Sequence, residues 1–284
     1  WGDARQAGGL GVHRLRARPE LQVVEGPGVD YQYIGVNLRD PVLTDPRVRQ
    51  ALSLAIDRTA LVAYLRRGLA VEAFHMLPAQ SWAAIADRPA ILHDPERARA
   101  LLLEAGSPRA DASGRAVPLR LSLRVSNTEF GRLQAEVIQQ QLRAVGIDLD
   151  VRVSEFATVY ADVLAGNFQL YSLQWTAGSL ADPDILRRIF HSGQIPPIGF
   201  NRGYYVDPTL DRWLDEAPVL PDENERRRVY GMAQRRLADT LPYISLWHKR
   251  NVIVGQRSLR GLRLSPTADL MFLRHVSRGD PGAP

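Results

Sequence analysis

The stretch from Pro118 to Trp175 constrains the fold more than any other part of the chain. Leu119, Leu121, Leu123 and Val125 alternate with polar residues, which places them on one face of a strand. Phe130, Leu133, Val137, Ile138, Leu142 and Val145 then recur at helical spacing, and Gly146 ends the run. Ile147, Leu149, Val151 and Val153 alternate again. Glu155 to Ala165 reads as a short helix closed by Gly166, and Phe168 to Trp175 as a third strand. Strands joined by helical crossovers of this length are expected to pair in parallel, because only a long connection returns the chain to the same end of a sheet. The expectation is an α/β protein.

Helix starts are marked throughout by Asp. Asp45-Pro46, Asp94-Pro95, Asp182-Pro183 and Asp207-Pro208 each offer a side-chain cap followed by a residue whose fixed φ suits the first helical position. Asp57 is expected to cap a helix through Leu61, Val62 and Leu65 that closes at Arg66, Arg67 and Gly68. Asp222 and Glu225 have capping-box spacing before a long helix bearing Val229, Met232, Ala233 and Leu237. Tyr243 to Leu246 and Val252 to Val254 read as two strands.

Composition narrows the function classes. The 284 residues are 45% hydrophobic, enough for a sizeable core, and no run approaches the length of a membrane span. Cysteine is absent, which removes disulfides, thiolate metal sites and Cys nucleophiles. The chain opens at Trp1 without Met, so a mature or cut product is expected, with any signal peptide outside the chain. Net charge is +5, but Arg residues are scattered among 31 acids, and the clusters Arg226–Arg228 and Arg235–Arg236 follow Asp222, Glu223 and Glu225 on one helix. A solvated helix face accounts for them, and no nucleic-acid partner is expected.

Catalytic and metal motifs are missing. The six His lack HxxxH and HExxH spacing, and there is no GxSxG, P-loop or GxGxxG. Neither metal nor cofactor is expected, and the chain is not expected to be an enzyme. Asp207, Asp211 and Asp215 at helical spacing are read as a helix-dipole preference on a solvated face.

Several ordered blocks resemble the family-5 solute-binding proteins, the oligopeptide, dipeptide and nickel receptors of ABC importers. They are Tyr31 to Asn37, Asp45 to Leu52, Ala55 to Arg58, Leu77-Pro78 with Trp82, His93 to Leu102 with Glu104 to Gly106, and Gln139 to Ile147. Trp175, Asp182-Pro183, Asn201 to Gly203, Asp207-Pro208 and Asp211 complete the series. The resemblance implies a periplasmic-binding-protein type II-like lobe with a mixed sheet, plus a remnant of the first lobe. Residues 1–40 would end the first lobe, 41–245 would form the second, and 246–284 would return toward the first and end in a tail.

It further implies a cleft that captures a small molecule or peptide-like ligand, an ABC transporter membrane permease as partner, a monomer, and a periplasmic or cell-surface location. Trp175, Ala177, Gly178, Ser179, Asn201, Arg202, Tyr204 and Trp82 are the candidate ligand-binding residues; Tyr205 shares their loop. Peptide-binding members place an Asp shortly after the strand-ending Trp, to pair with the peptide's amine. Gly178 stands there instead, which argues against free peptides. Asp182 is read as a helix cap. The alternatives are a stand-alone hydrolase and a folded lobe without independent affinity.

Overall fold

The computed structural model describes residues 9–86, 93–110, 113, 116–176 and 182–279. Helix α1 (Gly9–Arg16) precedes the long strand β1 (Leu21–Val36). Helix α2 (Pro46–Ala55) is followed by α3 (Arg58–Ala60), which widens into a π-helical turn at Leu61–Leu65, and then by strand β2 (Ala70–Glu72). Helix α4 (Pro95–Glu104) leads through the small hairpin β3 (Arg109–Ala110) and β4 (Ala116–Val117) into β5 (Leu119–Ser126), α5 (Glu129–Arg143), β6 (Ile147–Ser154), α6 (Phe156–Ala165) and β7 (Leu170–Trp175). Helices α7 (Ile185–Phe190), α8 (Pro208–Glu216) and α9 (Glu223–Thr240) come next. The chain then forms β8 (Tyr243–Gln256) and the short strands β9 (Leu259–Arg260) and β10 (Ser277–Arg278).

Six strands form one mixed sheet in the order β2-β8-β1-β7-β5-β6. β5 pairs in parallel with both β6 and β7, as the crossovers predict. β1 runs antiparallel to both β7 and β8. Helices cover both faces. Ile34, Val36, Leu121, Leu123 and Val125 point into a core built with α2, α4 and α5. Tyr31, Tyr33, Tyr171 and Trp175 point into a second core with α6, α7, α8 and α9. Two-residue alternation along each strand separates these sets.

The Asp caps before α2, α3, α4, α8 and α9 form as read. Asp45 accepts from Arg47 N, Asp94 from Arg97 N, and Asp222 from Glu225 N. Asp57 accepts from Ala60 N, and Arg67 and Gly68 close that helix at φ 51° and 76°.

The carboxyl-terminal strands differ from the sequence reading. Tyr243–Leu246 and Val252–Val254 are parts of the single strand β8, because the intervening Trp247, His248 and Lys249 stay paired with β2, and Arg250 and Asn251 with β1. β1, which the sequence reading does not mark as a strand, runs without interruption from Leu21 to Val36. The outer halves of β1 and β8 therefore pair from Leu21↔Gln256 to Pro27↔Arg250 as a two-stranded ribbon. The register shifts between Pro27 and Tyr31, where ribbon meets sheet. Gly28 is needed at that junction: a β-carbon on it would lie 2.3 Å from the Lys249 carbonyl oxygen.

Candidate functional site: an aromatic edge around Arg202

Parallel pairing puts the carboxyl ends of β5, β6 and β7, at Ser126, Ser154 and Trp175, on one edge of the sheet. Open α/β sheets present ligands at such an edge. Helix α6 starts directly above it, so Phe156, 57% exposed, stacks on Tyr160 at 5.8 Å. Trp175 is 8% exposed and meets Phe200 edge-on at 5.3 Å.

Arg202 joins these rings. It is 5% exposed, and its guanidinium carbon lies 5.0 Å from the Trp175 ring, 5.1 Å from Tyr160 and 5.4 Å from Phe200. Its Nη2 donates to the Tyr160 hydroxyl at 3.1 Å. Each such cation–π contact contributes about 0.5–2 kcal/mol, more as water is excluded. Beneath, Tyr33 stacks on Tyr243 at 4.1 Å and on Tyr31 at 5.5 Å, and meets Tyr171 edge-on at 5.8 Å. Burial pushes the Tyr33 and Tyr171 phenols well above their ordinary pKa, so both remain neutral hydroxyls.

The other candidates fall in different places. Asn201, 1% exposed, uses its side chain as a loop staple: it donates to the carbonyls of His191 and Tyr205 and accepts from Tyr205 N. Tyr204, at φ 56°, lies under the Arg39 guanidinium at 3.4 Å and fills the space beside Gly166, toward the opposite end of β7 from Trp175. Trp82 packs edge-on against Tyr230 at 5.9 Å beneath Arg226, while Arg227 donates to its carbonyl. Thus Trp175 and Arg202 are brought together, and Asn201, Tyr204 and Trp82 serve other contacts. Ala177, Gly178 and Ser179 lie outside the described residues.

Phe156, Tyr160 and Phe200 were not singled out from the sequence. The position of Phe156 directly after a parallel strand was the available signal.

Asp182 accepts from Asp184 N at 2.9 Å and so closes the turn before α7; the helix starts at Ile185 with Asp184 at its cap position, so Asp182 is not the helix cap the sequence predicts. Asp184 itself is partly buried, and burial raises its carboxyl above the ordinary range. Its charged neighbours are Arg187, Asp182, Arg188 and Arg226.

The α8 carboxylates do more than line a solvated face. Asp207 caps the helix and accepts from Tyr205 Oη at 2.9 Å and Arg236 Nε at 2.6 Å. Asp211 receives Ser192 N at 2.9 Å, and Asp215 receives Arg187 Nε at 2.8 Å. Each pins α8 to a neighbouring segment. Among the described residues no group of His, Cys, Asp and Glu could hold a metal ion, and no helix is long and apolar enough to cross a membrane.

A three-layer lobe of this topology, with a two-stranded ribbon leaving it and an aromatic edge at its parallel strand ends, is a periplasmic-binding-protein type II-like lobe with a remnant of the first. Residues 3–197 match the family model described as bacterial extracellular solute-binding proteins, family 5 Middle. The chain belongs to that family.

Among curated relatives, it is 29% identical over 265 residues to the probable di/tripeptide-binding protein 5 of Pseudomonas aeruginosa, covering 93% of this chain and 49% of the relative. It is 26% identical to the dipeptide-binding protein of Escherichia coli, covering 90% of this chain and 47% of that protein. The structure of HbpA2 from Haemophilus parasuis superposes with a TM-score of 0.83 at 25% identity, covering 94% of this chain and 52% of that one. The oligopeptide-binding protein AppA from Bacillus subtilis, in complex with a nonapeptide, gives 0.79 at 24% identity, with 95% and 54% covered. The chain spans about half the length of the curated relatives it matches.

Proposed function

We propose that this chain forms the second lobe, with part of the first, of the substrate-binding component of an ABC-type importer. It captures a small solute, peptide-like or other, in a cleft between lobes. The observation that carries this reading is the aromatic edge: Trp175, Phe156, Tyr160 and Phe200 gather with Arg202 at the strand ends where this sheet type presents ligands. Residues 41–245, joined in one sheet by Tyr31–Val36 of β1 and the first half of β8, supply the lobe, and the outer β1/β8 ribbon carries the chain toward the first. Burial between two closing surfaces supplies most of the affinity, so the protein binds and releases without chemistry. Its location is extracytoplasmic, its partner is the importer's membrane permease, and it acts as a monomer.

The test is native mass spectrometry of the protein in its full-length form after incubation with a pool of di- and tripeptides and their end-blocked derivatives. One ligand per chain, recovered unchanged, is the expected result. Cleaved products would favour the hydrolase alternative, and no retained species would refute capture of this solute class.

A further inference from the structure

Two buried donors at the aromatic edge lack acceptors among the described residues. Among the described residues, neither Arg202 Nε nor Trp175 Nε1 has a hydrogen-bond partner, although both atoms are buried. A buried donor left unpaired costs about 1–3 kcal/mol, more for a charged group. Tyr243, Tyr33, Tyr171 and Tyr160 surround the guanidinium, and among the described residues no carboxylate pairs with it. A desolvated arginine is ordinarily paired with a carboxylate or another anion. Arg202 is held instead by aromatic faces and a single hydroxyl contact.

Asp184, the residue before α7, has Arg187, Arg188 and Arg226 as its cationic neighbours, and Arg202 is not among them. The segment Thr176 to Ala181 that follows Trp175 contains no Asp or Glu. The edge therefore combines one fixed cation, an indole N–H and neutral phenols, a set rich in donors. Such a set complements an acceptor with negative charge and repels an ammonium group.

We infer that this lobe takes the anionic end of its ligand, a carboxylate seated against Arg202 and Trp175, and offers no seat there to a free amine. This rests on the receptor reading above and deepens it: the ligand is an acid whose amine is absent, blocked or directed elsewhere. The Arg202 guanidinium supplies the charge, and Trp175 Nε1 supplies a directional donor.

The experiment uses ¹⁵N spectra of the chain, following the Arg202 Nε–H and the five indole N–H signals, assigned by single Trp→Phe substitutions. N-acetyl-alanyl-alanine carries a carboxylate and no amine; alanyl-alanine amide carries an amine and no carboxylate. Each is titrated at constant ionic strength. The acetylated probe should move the Arg202 and Trp175 signals saturably, while the amide leaves them in place. Arg202→Met should weaken the response at Trp175 roughly tenfold or more, and Arg202→Lys should retain part of it; the remaining amide signals report that both variants are folded.

Three results overturn the assignment: the amide moves the Trp175 signal, the acetylated probe acts equally on Arg202→Met, or the acetylated probe moves neither signal. The mass-spectrometric experiment judges the receptor reading independently.

Discussion

The ring of Tyr171 lies directly on the backbone of Gly35, its partner across the β1–β7 pair. A β-carbon at Gly35 would fall 2.3 Å from Tyr171 Cζ. Tyr171 in turn donates to the Tyr243 hydroxyl at 3.2 Å and packs edge-on against Phe168 at 4.8 Å, so the ring has little room to retreat. Gly35→Ala should destabilise the lobe by about 1–3 kcal/mol, the range for overpacking a dense core. Thermal unfolding measures it. A variant as stable as the wild type would show that the ring can shift.

Arg58, 4% exposed, is held by backbone and hydroxyl oxygens and serves a structural purpose. Its Nε donates to the Ser245 carbonyl at 2.7 Å, and its Nη atoms reach the Ser53 carbonyl and hydroxyl at 2.9 Å. It thereby ties the end of α2 to β8. Burial lowers its pKa to about 10, which still leaves it charged at neutral pH. Arg58→Met removes the bonds and leaves buried acceptors unpaired, with an expected cost of about 2–4 kcal/mol. Urea unfolding at pH 7 tests this.

His248 gives the stability a pH dependence. Its Nε2 lies 3.2 Å from the His75 carbonyl, its ring packs on Tyr31 at 5.2 Å, and burial lowers its pKa from 6.5 to about 4. The unfolded chain therefore takes up a proton between about pH 6.5 and 4 that the folded chain refuses. Stability from this group is complete above that window and is lost as pH falls through it, in total by about 3 kcal/mol. Melting temperatures from pH 7.5 to 4.5 should fall, and His248→Gln should flatten that part of the profile. An equal slope in the variant would remove His248 as the cause.

Asp207 joins three segments: it caps α8 at Thr209 N and Leu210 N, accepts from Tyr205, and pairs with Arg236 on α9. Asp207→Ala should cost about 2–3 kcal/mol, more than an isolated cap, because a charge-assisted bond is lost with it. Asp207→Asn, which retains an oxygen for the cap, should fall between. Equal losses in both variants would assign the effect to charge alone.

Much of this fold was legible because local chemistry marks it. Asp-Pro pairs fix where α2, α4 and α8 begin, and two-residue alternation exposes β5 and β6. The full lengths of β1 and β8 were not legible. Gly26-Pro27-Gly28 and Lys249-Arg250-Asn251 look like breaks in the sequence, and only pairing across more than two hundred residues keeps them in strands. At the site, Trp175 was visible from its place at a strand end. Arg202 and Asn201 are sequence neighbours in one loop, yet one enters the aromatic layer and the other staples the loop, a division set by tertiary packing. Tyr160 and Phe200 meet Arg202 only once α6 and the 191–205 loop have docked.

The claim on which the rest depends is that ligand meets this lobe at the carboxyl ends of β5, β6 and β7. Hydrogen–deuterium exchange of the full-length protein, with and without a saturating peptide-derived ligand identified by mass spectrometry, tests it most directly. Added protection should concentrate at Ser126–Thr128, Ser154–Tyr160 and around Trp175, with the opposite edge at Val117–Leu119, Val145–Ile147 and Gly166–Leu170 unchanged. Protection confined to that opposite edge, or absent from both while ligand stays bound, would contradict the account.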